Sequence, residues 1–236
     1  MSEDAAPFCL CLAGPNGSGK STLTKGLRQL HELENWIDPD VVASEFGKSN
    51  PHLSPDEISR EAFKLARSKR VDYAQALQTF GFETVFSHPS NIEFLDALKT
   101  LGYTVHLYFV CTDDPQINVG RVRNRHDLGG HDVPEDKIVA RYSRAIDGLR
   151  QSVRLFDRVV LFDNSEADGL GRAIGQIAND GATTIELTPL PYLPGWVVST
   201  TGAFQRSEPL RTMRESKPFR NDDWMRRIFL RRFLID

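Results

Sequence analysis

Several things are scarce in this 236-residue chain, and each scarcity removes a class of protein. There are three cysteines, Cys9, Cys11 and Cys111, an odd number in or beside stretches that read as buried strands, so a disulfide framework is excluded and reduced core thiols of a cytoplasmic protein are expected. The six histidines show no H-x-x-x-H or similar ligand spacing, which argues against zinc chemistry. No apolar run approaches the roughly 18 residues that a membrane span needs. The acidic first residues, Met1 to Ala6, lack the basic start of a secretory signal. Excess positive charge is missing too: 29 Lys and Arg stand against 32 Asp and Glu, a net charge of -3, so no overall nucleic-acid-binding signature exists and any basic function must be local.

What is present begins with Leu12-Ala13-Gly14-Pro15-Asn16-Gly17-Ser18-Gly19-Lys20-Ser21-Thr22, which fits G-x-x-x-x-G-K-[ST]. Glycines let such a backbone curl with its N–H groups inward, at the positive end of a following helix, where phosphate oxygens bind. Gly14, Pro15, Asn16, Gly17, Ser18, Gly19, Lys20, Ser21 and Thr22 are therefore the candidate ATP-binding residues. Lys20 would reach the β- and γ-phosphates, and the Ser21 hydroxyl would take Mg²⁺. The flanks suit the motif: Phe8 to Leu12 is an apolar run, and Leu23, Leu27 and Leu30 recur at helical spacing.

Further on, Asn35 to Asp40 reads as a short strand ending in two carboxylates broken by Pro39. Ser54-Pro55-Asp56-Glu57 is a capping box that opens a helix running towards Leu77. Phe80 to Phe86 is a strand carrying the carboxylate Glu83, which asks for a partner. Ser90 and Glu93 would cap the next helix, and Val105 to Val110 is a strand interrupted by His106. Asp114-Pro115 starts a helix with Arg121 and Arg125 on one face and Arg123 turned away, ended by Gly129-Gly130. A helix after Pro134 carries the stripe Ile138, Tyr142, Ile146, Leu149, Val153 and Phe156, with Arg141 at its border and Arg144 beyond. Arg158 to Asp163 is the last strand of the core.

Strands alternating with helices argue for an α/β fold, a P-loop NTPase three-layer sandwich with a mostly parallel sheet. Residues 1–168 would form that core, and residues 169–190 a C-terminal β-hairpin turning at Asn179-Asp180-Gly181. Residues 191–236 would be a proline-containing linker and a basic amphipathic helical tail, Trp224 to Ile235, able to contact a membrane surface or a partner protein.

A phosphate loop alone does not state a reaction. A small kinase needs a base near the acceptor hydroxyl, Mg²⁺, and cations for the charge developing on the transferred group. Asp40 is the candidate base, Ser21 the metal ligand, and the arginines around Gly129-Gly130 the candidate lid. Taken singly, Asp40 also suits a turn, and the arginines also suit a solvated helix face.

Several stretches together resemble the zeta toxin family of P-loop kinases. They are Ala13 to Thr22, Asp38-Pro39-Asp40, Phe82 to Ser87, Gly129-Gly130-His131-Asp132-Val133-Pro134 continuing to Ile138, Arg141-Tyr142, and Asp163-Asn164-Ser165. The resemblance implies an ATP-dependent kinase acting on a hydroxyl of a small molecule such as the UDP-sugar UDP-N-acetylglucosamine, often restrained by an antitoxin protein. Carried over by motif, Lys20 and Ser21 bind ATP and Mg²⁺, Asp40 is the base, and Glu83 with Thr84 faces the acceptor. The larger toxins place an arginine just before the lid proline, where this chain holds His131. Charge on the γ-phosphate then falls to Arg121 or Arg125, and to Arg141. Two other readings compete: an ATP-hydrolysing switch or binding module acting through its basic tail, and a kinase of nucleic-acid ends, against which the absence of a basic, aromatic-interleaved stripe argues.

Overall fold

The computed structural model describes residues 6–128, 133–166, 171–179, 183–187 and 193–205. Outside them lie His131 and the Gly129-Gly130 turn, the Asp180-Gly181 tip, and the tail from residue 206 onward. Among the described residues a seven-stranded sheet runs in the order β2-β3-β1-β4-β5-β6-β7. Its strands are β1 (Phe8–Ala13), β2 (Trp36–Ile37), β3 (Phe80–Thr84), β4 (Thr104–Cys111), β5 (Arg158–Asp163), β6 (Arg172–Asn179) and β7 (Thr183–Leu187). The first five pair in parallel, while β6 and β7 form the expected hairpin and extend the β5 edge antiparallel.

β1 lies in the middle, paired with β3 on one side and β4 on the other, and its residues are apolar on both faces because helices cover both. Leu10, Leu12, Tyr108 and Val110 pack under Leu23 and Leu27 of α1 (Lys20–Leu30). On the opposite face Cys9, Cys11, Phe80, Phe82 and Phe109 pack with α3 (Pro55–Gln75), α4 (Ser90–Thr100) and α6 (Glu135–Ser152). All three cysteines are buried and unbridged. Between β4 and α6, α5 (Pro115–Asp127) forms its own small core with α6 through Val119, Val122 and Ile138.

Local chemistry explains most element ends. The Ser54 capping box is complete, with the Glu57 carboxylate accepting from the Ser54 backbone N–H at 2.9 Å and the Ser54 hydroxyl accepting from the Glu57 N–H at 3.4 Å. That helix stops at Gln75, and Leu77 follows with a left-handed φ of 51°.

Four expectations are corrected. Asp38-Pro39-Asp40 is not the end of a strand but the start of α2 (Pro39–Ser49): Asp38 caps it by accepting from the Asp40 N–H at 2.8 Å, and Pro39 occupies the first turn, where no N–H is required. Ser90 is the first residue of α4 rather than its cap; Pro89 holds the cap position, and the Ser90 hydroxyl is 2.8 Å from His88 Nδ1. α6 ends at Ser152, so Val153 falls in a single 3-10 turn, although it stays buried with Phe156. Within the stretch expected to be linker, α7 (Gly195–Gln205) docks on the core: Trp196 and Val197 are buried, and the Gly195 N–H donates to Asp113 Oδ1 at 2.7 Å. Among the described residues no helix is long and apolar enough to cross a membrane.

Candidate active site

The phosphate loop joins β1 to α1 at the centre of the sheet, where the strand order switches direction and where open parallel sheets leave a crevice at their carboxyl ends. Gly14, Gly17 and Gly19 all have positive φ, at 149°, 73° and 94°. At Gly14 a Cβ would strike the Val110 carbonyl oxygen, at Gly17 the Asn118 carbonyl oxygen and at Gly19 the Asn164 side-chain nitrogen, so all three glycines are required by close approach as well as by φ. Gly19 is also the N-cap of α1 and supplies no side-chain cap, leaving the positive end of that helix open to an anion. Ser18 Oγ is fully buried without a hydrogen-bond partner, an orphan that a phosphate oxygen would satisfy.

Two asparagines outside the loop shape it. Asn118 of α5 donates to the Asn16 carbonyl at 2.6 Å, and Asn164, just after β5, donates to the Ser18 carbonyl at 2.8 Å. These two bonds brace the loop from α5 and from the segment after β5. Both asparagines are themselves held. Asn118 Oδ1 accepts from the Thr112 hydroxyl, while Asn164 Oδ1 accepts from the Gly171 N–H at 3.0 Å. Tyr142 donates to the Thr112 carbonyl at 2.6 Å, tying α6 into the same network.

The Lys20 ammonium folds back on the loop, donating to the carbonyls of Gly14 at 2.8 Å and Pro15 at 3.0 Å. Desolvation pushes its pKa down, opposed chiefly by the carboxylate of Glu83 and then of Asp40. Beside the loop opens a cleft of about 620 Å³ bordered by Ser21, Thr24, Arg28, Asp38 and Glu83. Glu83 is 5% exposed, and its Oε1 accepts from the Thr24 hydroxyl at 2.5 Å. Burial raises the Glu83 pKa, the neighbouring Asp38 raises it further, and the Thr24 hydrogen bond and Lys20 hold it back.

The sequence-derived site residues fall into two groups. Ser21 and Glu83 border the cleft, and Lys20 interacts electrostatically with Glu83. Asp40 sits in the first turn of α2 with its side chain 71% exposed, 3.8 Å from Arg125, while Asp38 rather than Asp40 borders the cleft. Thr84 uses its hydroxyl oxygen to accept from the Phe86 N–H at 3.1 Å, and its carbonyl accepts from the Gly14 N–H at 3.2 Å.

The arginines separate clearly. Arg141 donates to Asn16 Oδ1 at 3.2 Å, at the loop itself. Arg125 reaches the acidic side through Asp40. Arg121 is committed to the carbonyls of Asn164 at 2.8 Å and Glu166 at 2.7 Å, which makes it a clamp between α5 and the segment after β5. Arg123 points away to Glu135 at 3.5 Å. Arg144 is exposed on α6. His131 lies outside the described residues.

Sequence reasoning assigned no role to Thr24, Asn118 or Asn164. Thr24 follows Lys20 by one helical turn, a usable signal; Asn164 lay in one of the stretches resembling the family but without a role, and Asn118 carried no signal, because the partners of both are remote in the chain. Among the described residues no group of three or more His, Cys, Asp or Glu could hold a metal ion. Mg²⁺ needs no such cage, since it is commonly held by one or two protein ligands together with phosphate oxygens and water.

Comparison with known proteins adds to this geometry. The family model described as Zeta toxin matches residues 1–170. An uncharacterized protein of Haemophilus influenzae is 32% identical over 145 residues, which cover 60% of this chain and 94% of that protein. A structure of the PezAT chromosomal toxin-antitoxin system of Streptococcus pneumoniae is similar with a TM-score of 0.55 at 18% identity, over 75% of this chain and 74% of the other. A structure of AvrRxo1-ORF1:-ORF2 with ATP gives 0.56 at 16% identity, over 91% and 68%. At such identities the two structures share the fold with this chain.

Proposed function

From the premise that the chain belongs to the zeta toxin family, we propose that it is a kinase transferring the γ-phosphate of ATP to a hydroxyl of a small molecule, with a UDP-sugar such as UDP-N-acetylglucosamine as the acceptor. The observation that carries this reading is the junction of the two halves of the site: a three-glycine phosphate nest containing the orphaned Ser18 hydroxyl opens beside a cleft lined by Asp38 and Glu83. A switch or binding module needs only the nest. An acid-lined cleft beside it is what an acceptor requires.

In this mechanism Lys20 leaves the carbonyls of Gly14 and Pro15 for phosphate oxygens, exchanging neutral for charge-assisted hydrogen bonds. The uncapped positive end of α1 binds the remaining negative charge. Mg²⁺, held by Ser21, would neutralise phosphate charge. Asp40 parts from Arg125 and takes the proton of the acceptor hydroxyl, and Glu83 orients the acceptor. Arg125 and Arg141 would then approach the transferred group, where added positive charge counts most in the transition state.

An antitoxin partner belongs to the same proposal, supported by the toxin-antitoxin system named for one structural relative. So does a cytoplasmic location, supported by three buried, unbridged cysteines. The test is ADP release from Mg²⁺-ATP with and without UDP-N-acetylglucosamine and a panel of other hydroxyl acceptors, with mass spectrometry for a phosphorylated product. Acceptor-dependent release, abolished by Lys20→Ala in a protein that still folds, is the expected result. Release that no acceptor stimulates, or that survives Lys20→Ala, refutes the kinase reading.

A further inference from the structure

One side of α1 forms a wall of the cleft, through Ser21, Thr24, Lys25, Arg28 and Gln29, while Leu23 and Leu27 anchor the helix to the sheet. Of these wall residues, Thr24 is in hydrogen-bond contact with a buried carboxylate across the cleft floor. We propose that Thr24 is a positioning residue for acceptor recognition: its hydroxyl pins one oxygen of Glu83 and leaves the other to accept a hydrogen bond from the acceptor. The inference rests on the kinase reading and names a determinant of its acceptor site.

Three observations carry it. The Thr24 to Glu83 contact, at 2.5 Å, is at the short end for a hydroxyl donating to a carboxylate. Glu83 sits on β3, whose pairing with β1 fixes its backbone, so the remaining freedom lies in the side-chain torsions that this hydrogen bond restrains. Thr24 itself is rigidly mounted, since α1 is held to the sheet by Leu23 and Leu27, and a β-branched residue in a helix has few rotamers. The other groups that act on Glu83 are Lys20 from α1 and Asp38 and Trp36 from the β2–α2 segment. Of these, Asp38 repels a second carboxylate, Lys20 is engaged with loop carbonyls, and the buried Trp36 indole N–H, the least of the influences on Glu83, makes no hydrogen bond among the described residues, so none of the three replaces the threonine as an orienting donor.

The experiment uses the full chain with glutamate ¹³C-labelled at the carboxyl carbon, the Glu83 signal being identified by its loss in Glu83→Gln. Thr24→Val keeps the shape and removes the donor; Thr24→Ser keeps the donor. The expected result is a Glu83 titration midpoint that moves to higher pH in Thr24→Val and returns in Thr24→Ser. With UDP-N-acetylglucosamine as probe, the acceptor KM should rise about tenfold in Thr24→Val, with the KM for ATP within twofold of wild type and serine restoring the acceptor KM. An unmoved titration, or an ATP KM that rises as much as the acceptor KM, overturns the proposal. If wild type shows no acceptor-dependent ADP release, the kinase reading fails, and the titration still decides whether Thr24 holds Glu83.

Discussion

Asn164 offers the sharpest test of how the phosphate loop keeps its shape. Its side chain donates to the Ser18 carbonyl at 2.8 Å and accepts from the Gly171 N–H at 3.0 Å, both in buried surroundings. Asn164→Ala strands a carbonyl and an N–H together. Each unsatisfied buried group costs about 1–3 kcal/mol, and some relaxation or water entry is expected, so a total loss of roughly 2–4 kcal/mol is predicted. That is a large fraction of the roughly 5–15 kcal/mol that holds a typical domain together. Asn164→Asp separates stability from shape. It keeps the acceptor for Gly171 but sets a second oxygen against the Ser18 carbonyl and adds negative charge beside the nest, so ATP binding should suffer more than in the alanine variant. Urea denaturation measures the first effect, and the thermal shift on adding Mg²⁺-ATP measures the second. If Asn164→Ala stays within about 0.5 kcal/mol of wild type and binds ATP normally, the loop is shaped by its glycines alone and the bracing argument is wrong.

Asp40→Asn preserves the exposed side-chain shape at the start of α2 and removes the base; kcat should fall by roughly 10²–10⁴ with ATP affinity little changed, and an unaltered kcat would return Asp40 to a charge partner of Arg125. Arg141→Ala should depress kcat by about 10³, and Arg125→Ala should also lower it, whereas Arg123→Ala, which loses only an exposed pair with Glu135, should cost almost nothing; equal behaviour of all three dismisses the lid assignment. Far from the site, burial pushes His31 and His106 down to about 4, with Arg158 adding to the effect, and His106 Nδ1 is buried without a partner. The folded state therefore binds fewer protons than the unfolded chain between about pH 4 and pH 6.5, so stability should fall as pH drops through that window; flat denaturation midpoints between pH 7 and pH 5 would contradict this.

Much of this protein is legible in its sequence wherever the determining interaction is local. The phosphate loop announces itself because a left-handed backbone demands glycine, the Ser54 box because cap and partner lie three residues apart, and the β6–β7 hairpin because its turn residues sit between two strand-forming runs. Family membership is legible for the same reason, since its signals are short contiguous motifs. Local chemistry also misleads when one pattern serves two structures: Asp38-Pro39 reads as a strand end and is a helix start. What the tertiary structure decided are contacts between residues remote in the chain. Thr24 meets Glu83 across 59 positions, Asn118 reaches Asn16 across 102, and Asn164 reaches Ser18 across 146. The arginines look alike in the sequence, and packing alone separates the clamp at Arg121 from Arg141 at the loop. α7 docks through Trp196 and a carboxylate 82 positions away, in a stretch whose prolines suggested a linker. The physical reason is common to all of these: a helix or turn is set by neighbours along the backbone, whereas the partner of a buried polar group is set by which strands pair and which helices cover them.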